Sequence, residues 1–142
     1  AIAALVKDDT VCRLLMTRPG IGPVTAFGYR AVIDDPRRFC RSRDVGAYIG
    51  ITPRRYQSGQ IDYAGRISRM GDTTLRRLLY LAAQTILRGG PRDSLSAWAL
   101  RVAKRRGRKR ATVALARKLA VVLHRMWLEQ TPYTIASANA AG

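Results

Sequence analysis

Apolar residues recur at three- and four-residue steps over most of the chain, and the places where the recurrence fails mark its elements. Val11, Leu14 and Leu15 predict a helix over 10–17 that stops at Arg18-Pro19, because the residue before a proline avoids the α region. The turn Pro19-Gly20-Ile21-Gly22-Pro23 leads into a second helix, Val24 to Ile33, where Pro23 sits at a permitted first-turn position and the small residues Ala26, Gly28 and Ala31 allow close packing. The pattern over 10–33 is therefore helix, glycine hairpin, helix. Asp34-Asp35-Pro36 interrupts it, and a short helix over 43–49 then presents Val45, Tyr48 and Ile49, with Gly50 placed to terminate it.

Periodicity disappears over 52–71, where Pro53, Gly59 and Gly65 punctuate a basic, polar stretch that has room for a short β-hairpin pairing Tyr56 with Ile61 and Tyr63. Loops beyond ~12–15 residues in a compact domain are usually functional or disordered; this one reads as functional. Helical spacing returns with Leu75, Leu78, Leu79, Ala82 and Ile86 on one face and Arg76, Arg77 and Arg88 off it, capped by Asp72 or Thr73 and ended by Gly89-Gly90-Pro91. Asp93-Ser94 opens a further helix carrying Leu95, Trp98, Leu100, Val102 and Ala103. A last one, over 110–129, carries the stripe Val113, Ala116, Ala120, Leu123 and Trp127. The predicted fold is all-α: a helix-hairpin-helix-like N-terminal part, a long basic loop, then a helical bundle over 72–129. At 142 residues it reads as a single domain spanning 1–131, with 132–142 a frayed tail.

Charge changes this picture more than composition does. The 47% hydrophobic content supports a core and excludes a disordered basic tail, while 26 Lys+Arg against 9 Asp+Glu give a net charge of +17. Such an excess calls for a polyanion, since each phosphate neutralised releases condensed counterions. Arg101, Lys104, Arg105, Arg106, Arg108, Lys109 and Arg110 cluster around Gly107 as a basic corner between two helices, suited to phosphate backbone. No apolar run is long enough to span a bilayer, and no basic stretch precedes Asp8 and Asp9 as a secretory signal would require, so a soluble, intracellular chain with no membrane partner is expected. Cys12 and Cys40 with the single His124 are too few for a zinc staple, and the cysteines read as reduced thiols. The adjacent pairs Asp8-Asp9 and Asp34-Asp35 diverge on any regular backbone, so the chain offers no two-metal site and no cofactor of its own is expected.

Two segments carry the ingredients of chemistry. In the turn Pro19-Gly20-Ile21-Gly22, glycines let backbone N–H groups and the positive end of the following helix approach a phosphate oxygen, and the tetrapeptide resembles the helix-hairpin-helix motif that grips duplex backbone without reading sequence. In the loop, Ser58 beside Gly59, with Arg54 and Arg55 ahead of it and Arg66, Ser68 and Arg69 behind, offers a hydroxyl nucleophile and guanidiniums to stabilise charge on a phosphorane-like transition state. The same residues also make an ordinary basic turn, in which Ser58 bonds its own backbone. No general base is in sight: His124 lies within an apolar helix and reads as a packed or surface residue.

The order Leu15-Met16-Thr17-Arg18-Pro19-Gly20-Ile21-Gly22-Pro23-Val24-Thr25-Ala26, Phe39, Val45-Gly46-Ala47-Tyr48-Ile49-Gly50-Ile51-Thr52-Pro53-Arg54, Gln57-Ser58-Gly59, Gly65-Arg66-Ile67-Ser68-Arg69-Met70-Gly71-Asp72 and Leu75-Arg76-Arg77-Leu78-Leu79 resembles the C-terminal transposase domain of the Piv-related, bridge-RNA-guided insertion-sequence transposases. The resemblance covers about residues 11 to 90. It implies a DNA recombinase of the bacterial cytoplasm and nucleoid, in which a RuvC-like domain with four carboxylates and Mg2+ works with a serine that becomes linked to DNA. Its implied partners are double-stranded DNA at the element ends and target, a guide RNA, and further copies of the full-length protein. Ser58 matches the family serine, with Ser68 as the alternative; Arg54, Arg55, Arg66, Arg69, Arg76 and Arg77, with Gly20, Gly22 and the corner Lys104, Arg105, Arg106, Arg108, Lys109 and Arg110, would contact DNA or RNA. Gln57 and Gln60 depart from the serine and glycine common around the family's Ser-Gly pair. A chain that starts just ahead of the glycine hairpin lacks the acidic domain and is expected to bind nucleic acid without recombining it. The rival expectation is a non-catalytic DNA- or RNA-binding helix-hairpin-helix module that stands alone.

Overall fold

Among the described residues, 2–50 and 66–134 with side chains at 3–50 and 73–134, the computed structural model contains seven α-helices, one turn of 3-10 helix and no strand. The fold is all-α, as expected. In chain order the helices are α1 (Ile2–Lys7), α2 (Thr10–Leu15), α3 (Pro23–Ile33), α4 (Asp44–Tyr48), α5 (Arg66–Arg88), α6 (Ser94–Arg106) and α7 (Arg108–Glu129), with the 3-10 turn at Pro36–Arg38.

The molecule is assembled around α7. Leu115, Leu119, Val122, Leu123, Met126 and Trp127 are buried together with Ala111, Ala116 and Ala120, more than one face of a helix, which requires cover from several sides. That cover comes from α2, α4, α5 and α6. α3 packs on α5 and reaches α7 through the buried Tyr29 phenol, which donates to the Ala120 carbonyl at 2.7 Å. Of the small residues in α3, Ala26 is fully buried and Gly28 admits Leu78, whose Cδ1 lies 2.8 Å from where a Cβ would stand; Ala31 faces solvent and serves no packing.

Caps fall where short polar side chains precede apolar runs. Asp93 and Ser96 form a reciprocal capping box on α6, Asp9 accepts from the Val11 and Cys12 amides at the start of α2, and Asp35 accepts from the Arg37 amide. Asp9 and Asp35 thus act at helix N-termini, and Asp34 stands at the C-terminus of α3. Gly50, at φ +79, terminates α4.

Four departures have physical causes. α1 is too short to persist alone and exists because Val6 is buried as α1 packs on α2 and α3. α5 begins at Arg66, not at a cap on Asp72; the cost of Gly71 inside a helix, about 1 kcal/mol, is smaller than the gain from continuing the hydrogen-bonded spiral. α6 and α7 are separated by Gly107 alone, whose φ of +94 makes the corner. The tail is also tied down at its start: the Tyr133 amide donates to Thr17 Oγ1 at 2.9 Å and its hydroxyl to Asp93 Oδ2 at 2.6 Å. The suggested hairpin of Tyr56 with Ile61 and Tyr63 lies outside the described residues.

His124 is fully buried in α7. Its Nε2 faces the Pro36 carbonyl at 2.7 Å and must carry the hydrogen, so Nδ1 accepts from the Ser42 hydroxyl at 2.8 Å. The ring pins the α3–α4 connection to the core, and Phe39 meets it edge-on at 5.6 Å. Burial first, and then the Arg125 charge, hold its pKa below the usual 6.5 despite the Pro36 bond. A base whose folded pKa is depressed binds more protons when unfolded. Stability is therefore full above pH 6.5 and falls as the pH drops below it towards the lower folded value. The thermal midpoint of the wild type should fall between pH 7.5 and pH 5 by more than that of His124→Gln; equal slopes would show that the ring does not titrate with unfolding. Gly20 has φ +98, and a Cβ there would come 2.6 Å from Ile86 Cγ1. Gly20→Val should cost about 2 kcal/mol or more, read as a lower denaturant midpoint.

Candidate nucleic-acid interface

The glycine turn is built by two different uses of glycine. Gly20 is structural, with a positive φ and Ile86 against it, whereas a Cβ at Gly22 would have nothing within 4 Å. Ile21 is buried between them and its amide donates to the Arg18 carbonyl at 3.1 Å, which holds the turn against the core. Gly22 is the N-cap of α3 and supplies no side-chain acceptor, and Pro23 has no N–H, so the first-turn amides of Val24 and Thr25 lack intrahelical partners. They stand at the positive end of an eleven-residue helix beside an open glycine.

The residue preceding this turn was not singled out by sequence, yet it is the largest fully buried side chain. Arg18 is 1% exposed, pairs through Nη1 with Asp93 Oδ2 at 2.8 Å, and lies under the Tyr133 ring, 4.4 Å from its centroid. Burial by itself would raise the Asp93 pKa, but the Tyr133 hydroxyl, the Ser96 amide and Arg18 together hold it below the usual carboxylate range. Burial and the Asp93 bond push the Tyr133 phenol well up, so it remains a donor. The sequence signals were an arginine amid apolar positions and an aromatic in a supposedly frayed tail.

On α5 the candidates divide by role. Arg76 is committed to the fold: its Nη1 donates to the Ile49 carbonyl at 2.9 Å and its Nη2 meets Thr73 Oγ1 at 3.1 Å, closing the end of α4. Arg77 is exposed. Helical register puts positions 66, 69, 73 and 77 on one line of α5, while position 68 falls in line with Leu75, Leu79 and Ile86, which face the core further along. A cleft of about 330 Å3 opens beside Gly50 between Arg76, Arg77 and Tyr80 of α5 and Val113 and Ala116 of α7. Ser58, Arg54 and Arg55 lie outside the described residues. Of Arg66, Ser68 and Arg69, the backbone alone is described.

The corner is the most strongly charged surface. Arg101, Lys104, Arg105, Arg106, Arg108, Lys109 and Arg110 are all exposed, and none has an ionic partner among the described residues. Lys104, Arg105 and Arg106 complement the negative end of α6, but Arg108, Lys109 and Arg110 sit at the positive end of α7, where cations are unfavourable. This surface carries uncompensated charge that an external anion would relieve. Among the described residues no three His, Cys, Asp or Glu side chains are grouped together. No helix among them is long and apolar enough to cross a membrane. His124, with both ring nitrogens engaged in the core, is not placed to serve as a base.

The chain is 35% identical over 134 residues to the transposase for insertion sequence element IS1111A of Coxiella burnetii, and 34% identical over 134 residues to a probable family 20 transposase of Pseudomonas aeruginosa; each alignment takes in 93% of this chain. It is 29% identical over 122 residues, 84% of its length, to a pilin gene-inverting protein of Moraxella lacunata. The alignments span 37%, 40% and 38% of these relatives, so the chain corresponds to about two fifths of their length. Residues 12–98, which run from α2 through the glycine turn and α5 into α6, match the description transposase IS116/IS110/IS902 family, and the chain belongs to that family.

Proposed function

We propose that this chain is the nucleic-acid-binding, serine-bearing C-terminal domain of a bridge-RNA-guided insertion-sequence transposase: it grips DNA and guide RNA by their phosphate backbones and delivers the Ser58 hydroxyl to a phosphodiester. The observation that carries the binding half is the corner from Arg101 to Arg110, seven exposed cations without an ionic partner among the described residues. The glycine turn, with its uncapped α3 terminus, is a second grip, suited to backbone contact that positions a duplex without reading its sequence.

In this reading the Ser58 Oγ–P bond forms as one ester P–O bond of the strand breaks, leaving the domain linked to one DNA end and freeing a hydroxyl on the other. Arginines around the loop stabilise the added charge on phosphorus. The register of α5 favours Ser58 over Ser68, because position 68 lines up with core-facing positions of the helix. The relatives' greater length leaves room for the acidic RuvC-like domain and the assembly of copies that the reaction calls for.

Two experiments test the two halves. Gly22→Asp adds an N-cap with open space around it and a negative charge at the α3 terminus; duplex affinity should fall several-fold while the thermal midpoint holds or rises. Unchanged affinity would remove the turn from the interface. In a full-length transposase carrying this domain, trapping on labelled element-end DNA should yield a protein–DNA adduct in the wild type and in Ser68→Ala, and none in Ser58→Ala. An adduct that survives Ser58→Ala rejects that assignment.

A further inference from the structure

Arg18 uses one of its five N–H groups on Asp93, and both Nε and Nη2 are buried without a hydrogen-bond partner among the described residues. These two nitrogens share one edge of the planar guanidinium, the edge whose parallel N–H groups match two oxygens of a phosphate or carboxylate. A buried donor left unmatched forfeits its hydration without return, more so for a charged group, so an unused fork is a costly feature unless something binds it. Beside it lies a cleft of about 260 Å3, lined by Arg18, Pro19 and Gly20 of the turn and by Gly89, Arg92 and Asp93 of the α5–α6 connection.

The cleft's charge suits an oxyanion. Asp93 is already matched by Arg18 Nη1, the Tyr133 hydroxyl and Ser96, which leaves the exposed Arg92 as the charge at the cleft without an ionic partner among the described residues, its Nε donating to the Gly89 carbonyl at 3.2 Å. The Tyr133 ring covers the guanidinium face, and the strap that carries it bonds Thr17 and Asp93. That strap is therefore the element a ligand would displace.

We propose that the Arg18 fork, in the cleft between the glycine turn and the α5–α6 connection, is a binding site for a single phosphoryl group, gated by Tyr133. With a phosphodiester of a backbone lying over the turn as its ligand the site rests on the nucleic-acid reading above, and with a free phosphate it does not; the two sources are separable.

The test is titration of the 15N-labelled protein with inorganic phosphate and, separately, with a short DNA duplex, following the Arg18 Nε–H resonance. Phosphate should shift it saturably. Arg92→Gln should weaken that response several-fold with an unchanged circular dichroism spectrum, and Tyr133→Ala, by uncovering the fork, should strengthen it several-fold. Arg18→Lys, which keeps the charge and loses the fork, is followed through the backbone amides of Gly20 and Gly89 at the cleft, whose saturable response to phosphate should be lost in the Tyr133→Ala background. A response to phosphate and duplex assigns the backbone as the source; a response to phosphate alone keeps the site and assigns free phosphate. A resonance that answers neither, in the wild type and in Tyr133→Ala, overturns the proposal and leaves Arg18 a structural clamp.

Discussion

Burial of α7 on several sides is the constraint on which the rest of the molecule depends. A helix that presents Leu115, Leu119, Leu123 and Met126 inward, and Ala111, Ala116 and Ala120 towards close neighbours, cannot be stable until other helices surround it. Each neighbour then acquires its place by what it offers α7: Tyr29 its phenol, the α3–α4 connection its grip on His124, α5 the leucines of its core-facing side. The basic corner follows from the same arrangement. Because α6 and α7 are joined by Gly107 alone, the cations at the end of one helix and the start of the next are brought together at one corner.

Much of this was legible in the sequence because it is local. Helical stripes, the Asp93 cap, the Gly50 terminator and the glycine hairpin are all encoded within a turn or two of the residues that show them. What escaped depends on distant partners. α1 has no persistence without α2 and α3, and the docking of Tyr133 is decided by Thr17, Arg18 and Asp93, 40 or more residues away in the chain. Arg18 itself reads as one more cation in a basic chain; only tertiary structure turns it inward.

The candidate site divides along the same line. A run of seven cations around a glycine is a property of sequence and stays one in space, so the corner was readable. The two glycines of the hairpin look equivalent in sequence, yet one is held by Ile86 and its own φ while the other stands open, a difference set by α5. Arg76 shows what sequence cannot: its charge suggests phosphate, while the structure also gives it the carbonyl of Ile49 to hold.

The position of α7 in the chain has a consequence for biogenesis. Helices α2, α4, α5 and α6 are made before the helix that covers their apolar faces, so a nascent chain leaves the ribosome with Leu15, Leu75 and Leu79 on elements that still lack that cover. Folding of this domain waits on the synthesis of residues 108–129, and until then its apolar helices and their dense positive charge meet the cell as an open chain in a cytosol full of RNA.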